Sequence, residues 1–382
     1  MNADTLELFA EINDDWTFKN APTRELTHCY HDYPARMIPQ VAAKCLALFG
    51  KSATTLFDPY CGSGTTLVEG FVRGINVAGT DLNPLARLIS EAKLSIPEQS
   101  ELDDAISRFN KYCQAFQSER FEGEVEVVGI RNLSFWFKPD VIAKLSYLKR
   151  FIDDIPSKQI QLFFQVAFSE TVRESSNTRI DEFKLYRYDS ARLEKFAPNV
   201  FAIMQSKLQR NRLGLQAFAR RVRSLPKIPM AHIYDFNTVS DIPEQLISPE
   251  SVDIVLTSPP YGDSRTTVAY GQFSRLSSAW LGFGDAISVD RNLMGGKVYR
   301  ADVELPSKAI CAALRQIALA DGKREQEVRA FYADLYRSIQ NVATVIRKGG
   351  YACYVVGNRR VKGVELPTDV AVKDFFERCG FQ

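Results

Sequence analysis

The sequence predicts an α/β fold, a doubly wound and mainly parallel sheet interrupted by a mostly helical insertion. Three observations carry that prediction. Short apolar segments of strand length occur at 54–58, 75–79, 231–236, 252–256 and 351–356, and stretches with apolar residues at helical spacing lie between several of them. The first two segments are joined by a glycine-bearing turn that opens a helix, the layout of a β-α-β unit. From about 100 to 225 the alternation gives way to long helical patterns. The chain therefore divides into residues 1–99, an insertion at 100–225, and residues 226–382, where the alternation resumes.

With 382 residues the chain can bury a large core, and its net charge of +2 excludes a uniformly basic surface. Any contact with nucleic acid must come from local basic regions. Seven cysteines occur without a CxxC pair, and the only histidines are His28, His31 and His232. Neither a structural zinc nor a disulfide scaffold is expected, and a reducing cytosol is the natural compartment. The acidic N-terminus lacks a signal-peptide layout and no apolar run has membrane length, so no membrane partner is expected.

Taken in order, Trp16 and Phe18 are expected to pack on the segment C-terminal to them. Residues 28–39, bounded by Pro34 and Pro39, read as an ordered loop leading into a helix over 41–49. His28 and His31 lack a cysteine or carboxylate cluster at ligand spacing and read as loop histidines. Strand 54–58 runs into Pro59-Tyr60-Cys61-Gly62-Ser63-Gly64-Thr65-Thr66, and a helix opens at Leu67. Glycines at such a turn let the main chain approach a ligand closely, and the helix start favours an anionic group. Strand 75–79 ends in Thr80-Asp81-Leu82-Asn83, where Asp81 is placed to hold the hydroxyls of a ribose. This is the spacing of a nucleoside cofactor site, and no Walker lysine is present to suggest triphosphate hydrolysis.

Helices are predicted over 102–116 and 139–152. Between 173 and 223, Arg and Lys outnumber Asp and Glu, with Arg220, Arg221 and Arg223 closing the run and Phe183, Tyr186 and Tyr188 interleaved. Cations that hold phosphates beside rings that stack on bases make a nucleic-acid surface, and a solvated basic face is the alternative. Strand 231–236 ends with Asp235 and Phe236, the carboxylate placed to accept from an adenine amino group. Residues 262 to about 325 read as long loops over the site, with a short helix near 307–320. A helix over 325–346 closes at Arg347-Lys348-Gly349-Gly350, before strand 351–356 and a final helix.

Strand 252–256 carries the stretch that organises the chain, Thr257-Ser258-Pro259-Pro260-Tyr261-Gly262. Two prolines stop the strand and stiffen the backbone, so the Ser258 hydroxyl and nearby carbonyls can be aimed outside the sheet. Such acceptors can take both hydrogens of an aromatic amino group and draw its lone pair out of conjugation while the Tyr261 ring stacks on the base. The nitrogen is then free to attack a methyl sulfonium in line. In isolation the same tetrapeptide is also a proline-rich turn.

Together these residues resemble the S-adenosylmethionine-dependent amino-methyltransferases of DNA, which modify cytosine at N4 or adenine at N6. Asp58-Pro59-Tyr60-Cys61-Gly62-Ser63-Gly64-Thr65 is similar to the family's DPFxGSGT cofactor loop, and Ser258-Pro259-Pro260-Tyr261 to its (D/N/S)PP(Y/F) tetrapeptide. Tyr33-Pro34-Ala35-Arg36-Met37 resembles the segment that closes over the methionine end. The resemblance implies a Rossmann-like methyltransferase fold with S-adenosylmethionine as cofactor. It places Asp58 near the cofactor's amino group, Gly62 and Gly64 under its methionine part, Asp81 on the ribose and Asp235 on the adenine. Tyr33, Pro34, Ala35, Phe57, Tyr60, Ser63, Thr65, Leu82, Asn83 and Phe236 complete the implied cofactor set. Ser258, Pro259, Pro260 and Tyr261 are the implied catalytic set, gripping a base swung out of double-stranded DNA. No metal and no enzyme nucleophile are implied, and the Pro-Cys pair that carbon-5 cytosine methylation needs does not occur.

Serine at the head of the tetrapeptide favours cytosine N4 over adenine N6. A cognate restriction endonuclease is an implied partner, and a prokaryotic cytoplasm, with association to the nucleoid on DNA, the implied location. The family's sheet normally ends in an antiparallel strand pair after the last helix, and Gln382 comes before it. The resemblance therefore leaves two expectations, an uncovered sheet edge or a companion subunit that supplies the pair. The competing functions are a tRNA guanine-N2 methyltransferase, a protein-glutamine methyltransferase, and a catalytically silent DNA-binding subunit. The decisive expectation is spatial: the glycine turn after Phe57 and the proline pair before Tyr261 must face each other across one crevice.

Overall fold

Five strands pair in parallel in the order β3-β2-β1-β4-β5: β1 (Thr55–Asp58), β2 (Asn76–Thr80), β3 (Ala231–Tyr234), β4 (Val252–Thr257) and β5 (Ile346–Tyr354). The computed structural model describes residues 15–117, 127–180, 182–262, 268–284, 289–296 and 304–382. The chain winds outward from β1 through β2 to β3, then returns to lay β4 on the other side of β1. The reversal between β1 and β4 is a topological switch point, and a crevice opens there beyond the carboxyl ends of the strands. The loop after each of these two strands carries one of the sequence motifs, which is why residues two hundred positions apart can meet.

Helices α1 (Pro39–Phe49), α2 (Thr65–Phe71) and α3 (Pro84–Leu94) cover one face of the sheet. In the long passage from α3 to β3 lie α4 (Gln99–Gln114), α5 (Leu133–Trp136), α6 (Pro139–Asp153), α7 (Lys158–Ser175), α8 (Ser190–Lys195) and α9 (Val200–Arg223). Leu56, Val77, Ile254 and Leu256 of the sheet share one hydrophobic cluster with α7 and α9, so the helical passage extends the sheet's own core. After β4 come α10 (Tyr270–Trp280), α11 (Val289–Asn292), α12 (Lys308–Ala320) and α13 (Gly322–Val345). A small antiparallel hairpin, β6 (Arg359–Val361) and β7 (Val364–Leu366), precedes α14 (Thr368–Arg378). Helices α12, α13 and α14 pack on the opposite face around Phe57, Val252 and Val255. Alternation along β1 and β4 thus sends Leu56 and Phe57, or Ile254 and Val255, into different cores.

The structure revises two expectations. The segment 262–325 contains α10, whose helical period is hidden because its buried face is built partly from Ser274, Ser277 and Ser278. Part of that segment, 263–267, 285–288 and 297–303, lies outside the described residues. Residues 347–350 belong to β5 and do not close a helix: Gly349 has φ +73° and the pairing with β4 shifts register between Val252 and Ile254, an irregularity that absorbs the two glycines. Residues 26–30 of the expected ordered loop and its approach form a 3₁₀ turn; His28 and His31 are buried, and His28 Nε2 is satisfied 2.9 Å from Glu69 Oε1. Trp16 and Phe18 do pack down, on Lys44 of α1.

All seven cysteines are free thiols. Among the described residues no helix is long and apolar enough to cross a membrane, and no strand lies outside β5.

Candidate active site

The turn after β1 is shaped by main-chain geometry and tied down by α3. Gly62 (φ +51°) and Gly64 (φ +75°) occupy the left-handed region, and Gly64 caps the start of α2. A Cβ at Gly64 would fall 2.8 Å from the Ser90 hydroxyl, which itself donates to the Gly62 carbonyl at 2.9 Å. Lys93 Nζ, fully buried, donates to the Ser63 carbonyl at 2.8 Å. Burial pulls this amine down to about 7, with the Arg36 guanidinium pushing the same way. Ser63 Oγ is buried and finds no hydrogen-bond partner among the described residues.

Asp81, beyond β2, closes the turn from the other side. Its carboxylate accepts from the Gly62 amide at 3.0 Å and the Asn83 amide at 2.7 Å. Burial nevertheless raises it to about 6. Asn83 donates to the Tyr33 hydroxyl (2.9 Å) and to Ser274 (3.1 Å), and the Tyr33 ring stacks on Tyr270 of α10 with centroids 5.9 Å apart. The loop carrying Tyr33 holds Ala35 at φ +51°, an unusual conformation for alanine. Arg36 anchors it by donating to the carbonyls of His28 and His31, both at 3.0 Å.

Asp58 joins the two motifs. Thr257, the last residue of β4, donates to Oδ1 at 2.5 Å, Thr66 donates to Oδ2, and the Tyr60 amide donates to Oδ1 at 3.1 Å. Burial raises this carboxyl to about 6, against the lowering effect of those donors. Beyond Thr257, the Ser258 and Tyr261 hydroxyls lie 3.1 Å apart. Gly262 (φ +145°) abuts the Arg359 guanidinium, whose nearest atom would be 2.3 Å from a Cβ there. The Tyr261 ring lies against Gly357, 3.7 Å from where its Cβ would be. Asn358, between these two, accepts from the Thr368 amide at 2.8 Å at the start of α14.

These elements meet around one crevice. Tyr33, Pro34 and Ala35 line it, with Asp58, Tyr60, Gly62, Ser63 and Thr65 from the glycine turn. Asp81, Asn83, Ser258 and Pro260 complete the predicted residues in its wall. The glycine turn and the proline pair therefore do share one crevice. An adjoining hollow is lined by Leu82 and Phe236 together with Tyr60, Asp81 and Pro260.

Other predicted residues stand elsewhere. Phe57 is wholly buried in the core of the α13 face, Gly64 sits behind the turn as a helix cap, and Asp235 is exposed beyond β3. Pro259 and Tyr261 flank the wall without lining it. Tyr270, Leu293 and Met294 line one or other hollow, as do Asn237 and Thr238. Those last two directly follow Phe236 and were within reach of the strand-end argument. Tyr270 and Leu293 carry no local signal, because only the fold brings them there.

The one thiol in the wall, Cys61, is pushed well up by burial and by Asp81 and Asp58, so it offers no thiolate. What the wall presents instead is a glycine cradle, an orphaned buried hydroxyl at Ser63 and a carboxylate at Asp81, a donor set that fits a nucleoside bearing an amino acid.

No family model matches the chain. Type II methyltransferase M.MvaI of Kocuria varians is 38% identical to it over 392 residues, covering 97% of this chain and 86% of that protein. The chain belongs to the type II methyltransferases. Type II methyltransferase M.MjaII of Methanocaldococcus jannaschii is 27% identical over 178 residues, 44% of this chain and 33% of its own length. Among solved structures, the rRNA methyltransferase aviRa from Streptomyces viridochromogenes aligns over 91% of both chains with a TM-score of 0.36 and 11% identity, too loose a superposition to carry an argument. The sheet of this type II methyltransferase is a Rossmann-like methyltransferase fold, and its methyl donor is S-adenosylmethionine.

Proposed function

We propose that this type II methyltransferase methylates the exocyclic amino group of a base drawn out of duplex DNA at a specific site, cytosine N4 in preference to adenine N6. The supporting observation is the meeting of Ser258 and Pro260 with Gly62, Ser63 and Asp81 in one crevice. S-adenosylmethionine supplies an electrophilic methyl group there. Tyr33, Pro34 and Ala35 would close over its methionine end, Gly62, Ser63 and Thr65 would lie beneath it, and Asp81 would accept from its ribose hydroxyls. Leu82 and Phe236 would flank the adenine in the adjoining hollow. Asp58 serves chiefly as a brace, since its oxygens already accept from Thr66, Thr257 and the Tyr60 amide.

Ser258 Oγ accepts one amino hydrogen of the target base, which turns the nitrogen lone pair toward the glycine turn. As the nitrogen bonds to the methyl carbon, the methyl–sulfur bond of the cofactor would break to leave S-adenosylhomocysteine, and Ser258 Oγ would pass the nitrogen's surplus proton to solvent. The Tyr261 hydroxyl keeps Ser258 oriented, 3.1 Å away, and an incoming base takes its place on Ser258 and stacks on the ring. Pro259 and Pro260 fix the direction of both groups. The rate advantage comes from alignment in a shielded site and not from a covalent intermediate.

A cognate restriction endonuclease, and a companion subunit seated along the outer edge of β5, are the partners this reading expects, in a prokaryotic cytoplasm. The test is incubation with methyl-labelled S-adenosylmethionine and mixed-sequence DNA, followed by nucleoside analysis. N4-methylcytosine is the expected product. N6-methyladenine would overturn the choice of base, and label in added tRNA but not in DNA would overturn the choice of substrate.

A further inference from the structure

The basic run at 173–223 is a single feature in the sequence, but the fold divides it into three groups with different surroundings. In the first, the cations are engaged inside the protein. Lys207 pairs with Glu174, Arg210 with Glu170, and Arg212 with Asp103. Arg173 lies over the Phe273 ring at 4.1 Å and donates to the Phe273 carbonyl at 3.3 Å. The second group, Arg220, Arg221 and Arg223, is exposed at the end of α9. That end leads into β3 from below. The Met230 amide donates to Asn76 at the start of β2, on the edge of the sheet opposite the crevice.

The third group differs in both place and company. Residues 177–180 and 182–188 lie against each other as a tight double-back, with an antiparallel bridge between Thr178 and Arg187 and the Arg179 amide donating to the Tyr186 carbonyl at 2.8 Å. The double-back is pinned to α5. The Asn177 amide donates to the Trp136 carbonyl at 2.7 Å, and Asn177 Nδ2 and Arg187 Nε donate to the Phe135 carbonyl at 3.1 and 3.0 Å. It also rests on α10, where the Leu185 amide donates to Gln272 at 3.4 Å, two positions along the helix from Tyr270 in the crevice wall. Arg173 ties the double-back to the crevice: it donates to the Glu182 carbonyl and lies over Phe273, whose ring meets Tyr33 of the crevice wall edge-on at 5.8 Å.

Its outer surface is unusual for this molecule. Of the four aromatic side chains among the large exposed hydrophobics of the described residues, three lie here: Phe135, Phe183 and Tyr186. Exposed rings grouped on a pinned scaffold indicate a surface meant to be covered. Guanidinium groups accompany them, Arg187 over Phe135 at 4.5 Å and Arg192 over Tyr188 at 5.7 Å. Rings with planar cations on a scaffold pinned to α5 and α10 match a nucleic-acid partner whose bases offer π-faces and whose backbone offers phosphates.

We propose that the patch formed by residues 131–137, 177–180 and 182–192 receives the DNA duplex beside the extruded base, and that the basic end of α9 does not touch it. The inference rests on the proposed function, that this enzyme acts on DNA. Duplex bound at the crevice meets Phe183, Tyr186 and Phe135 directly. The α9 end, thirteen residues beyond Arg210 and therefore about 20 Å further along the helix axis, faces away from it.

The test compares two sets of variants of the full chain by fluorescence anisotropy, using a labelled duplex that the wild-type enzyme methylates, with S-adenosylhomocysteine present. Phe183→Ala and Tyr186→Ala together are expected to weaken duplex binding by at least about tenfold. Binding of S-adenosylhomocysteine alone and the melting temperature should stay at wild-type values. Arg220→Ala, Arg221→Ala and Arg223→Ala together should leave duplex binding within twofold. If removal of the rings lowers the melting temperature, Lys184→Glu with Arg192→Glu replaces it, and a flatter dependence of binding on salt is the expected result. Wild-type binding by the ring or charge variants, or a loss confined to the α9 variants, overturns the proposal while leaving DNA as substrate. A wild-type enzyme that binds and methylates no duplex overturns the underlying function instead.

Discussion

The two walls of the crevice are built on different plans. On the glycine-turn wall, main-chain groups are held by side chains: Ser90 of α3 on the Gly62 carbonyl, Lys93 of α3 on the Ser63 carbonyl, and Asp81 from beyond β2 on the Gly62 amide. On the proline wall, two ring-locked residues set the direction and the functional hydroxyls contact each other, Ser258 to Tyr261. The main chain of one wall is preorganised by these bonds, while the other wall has a contact that can be taken over. Under the proposed function this is a sensible division, since the cofactor meets a fixed cradle and the base must first be drawn out of its stack.

The comparison is broken most severely from the proline wall. Ser258→Ala and Tyr261→Ala are each expected to lower methyl transfer by about 100-fold or more, as loss of a group that acts in the transition state does. S-adenosylmethionine affinity, measured calorimetrically, should move by no more than about twofold, since neither side chain supports the glycine turn. Equal loss of cofactor binding would mean that the two walls are not separable.

A smaller effect, and of the opposite kind, is expected from Gly64→Ala. A left-handed backbone and a Cβ 2.8 Å from the Ser90 hydroxyl should cost about 2 kcal/mol of stability and weaken the cofactor, readable as a lower melting temperature and a smaller upward shift on adding S-adenosylhomocysteine. An unchanged melting temperature would show that α3 does not hold the turn.

The mildest change sharpens the comparison. Asp81 is held up to about 6 by burial, so its carboxylate gains a proton as pH falls through that value, and with it loses acceptor capacity for a ribose. Cofactor affinity of the wild type should decline below pH 6. Asp81→Asn should bind about tenfold more weakly at pH 8 and show a flatter profile between pH 5 and 7. A wild-type affinity that stays level across that window would remove Asp81 from the ribose.

Much of this wall is legible in the chain itself, because it is local. Gly62, Gly64 and Asp81 announce themselves by strand ends and turn chemistry, and Ser258-Pro259-Pro260-Tyr261 by stiffness after a buried strand. What stays hidden is what depends on distant packing. Tyr270 reaches the crevice because α10 lies against Tyr33, and α10 leaves no clear periodic trace because serines stand where its apolar residues should show. The start of β5 resembles a helix end in sequence because its glycines absorb a register shift visible only once β4 lies alongside. The basic run at 173–223 is real in composition, yet composition cannot say which arginines meet a carboxylate within their own fold.

Thr257, Asp58 and Thr66 have one more implication. A single carboxylate grips a hydroxyl from the strand before Ser258 and another from the helix after Gly64, so the two halves of the enzyme are spliced at one side chain. Grafting a foreign catalytic half onto this N-terminal half, as one would to alter the base that is modified, will succeed only if the donor also brings a hydroxyl at the place of Thr257. Without it, the graft inherits a buried acid stripped of a donor, and the seam between the parents becomes its weakest point.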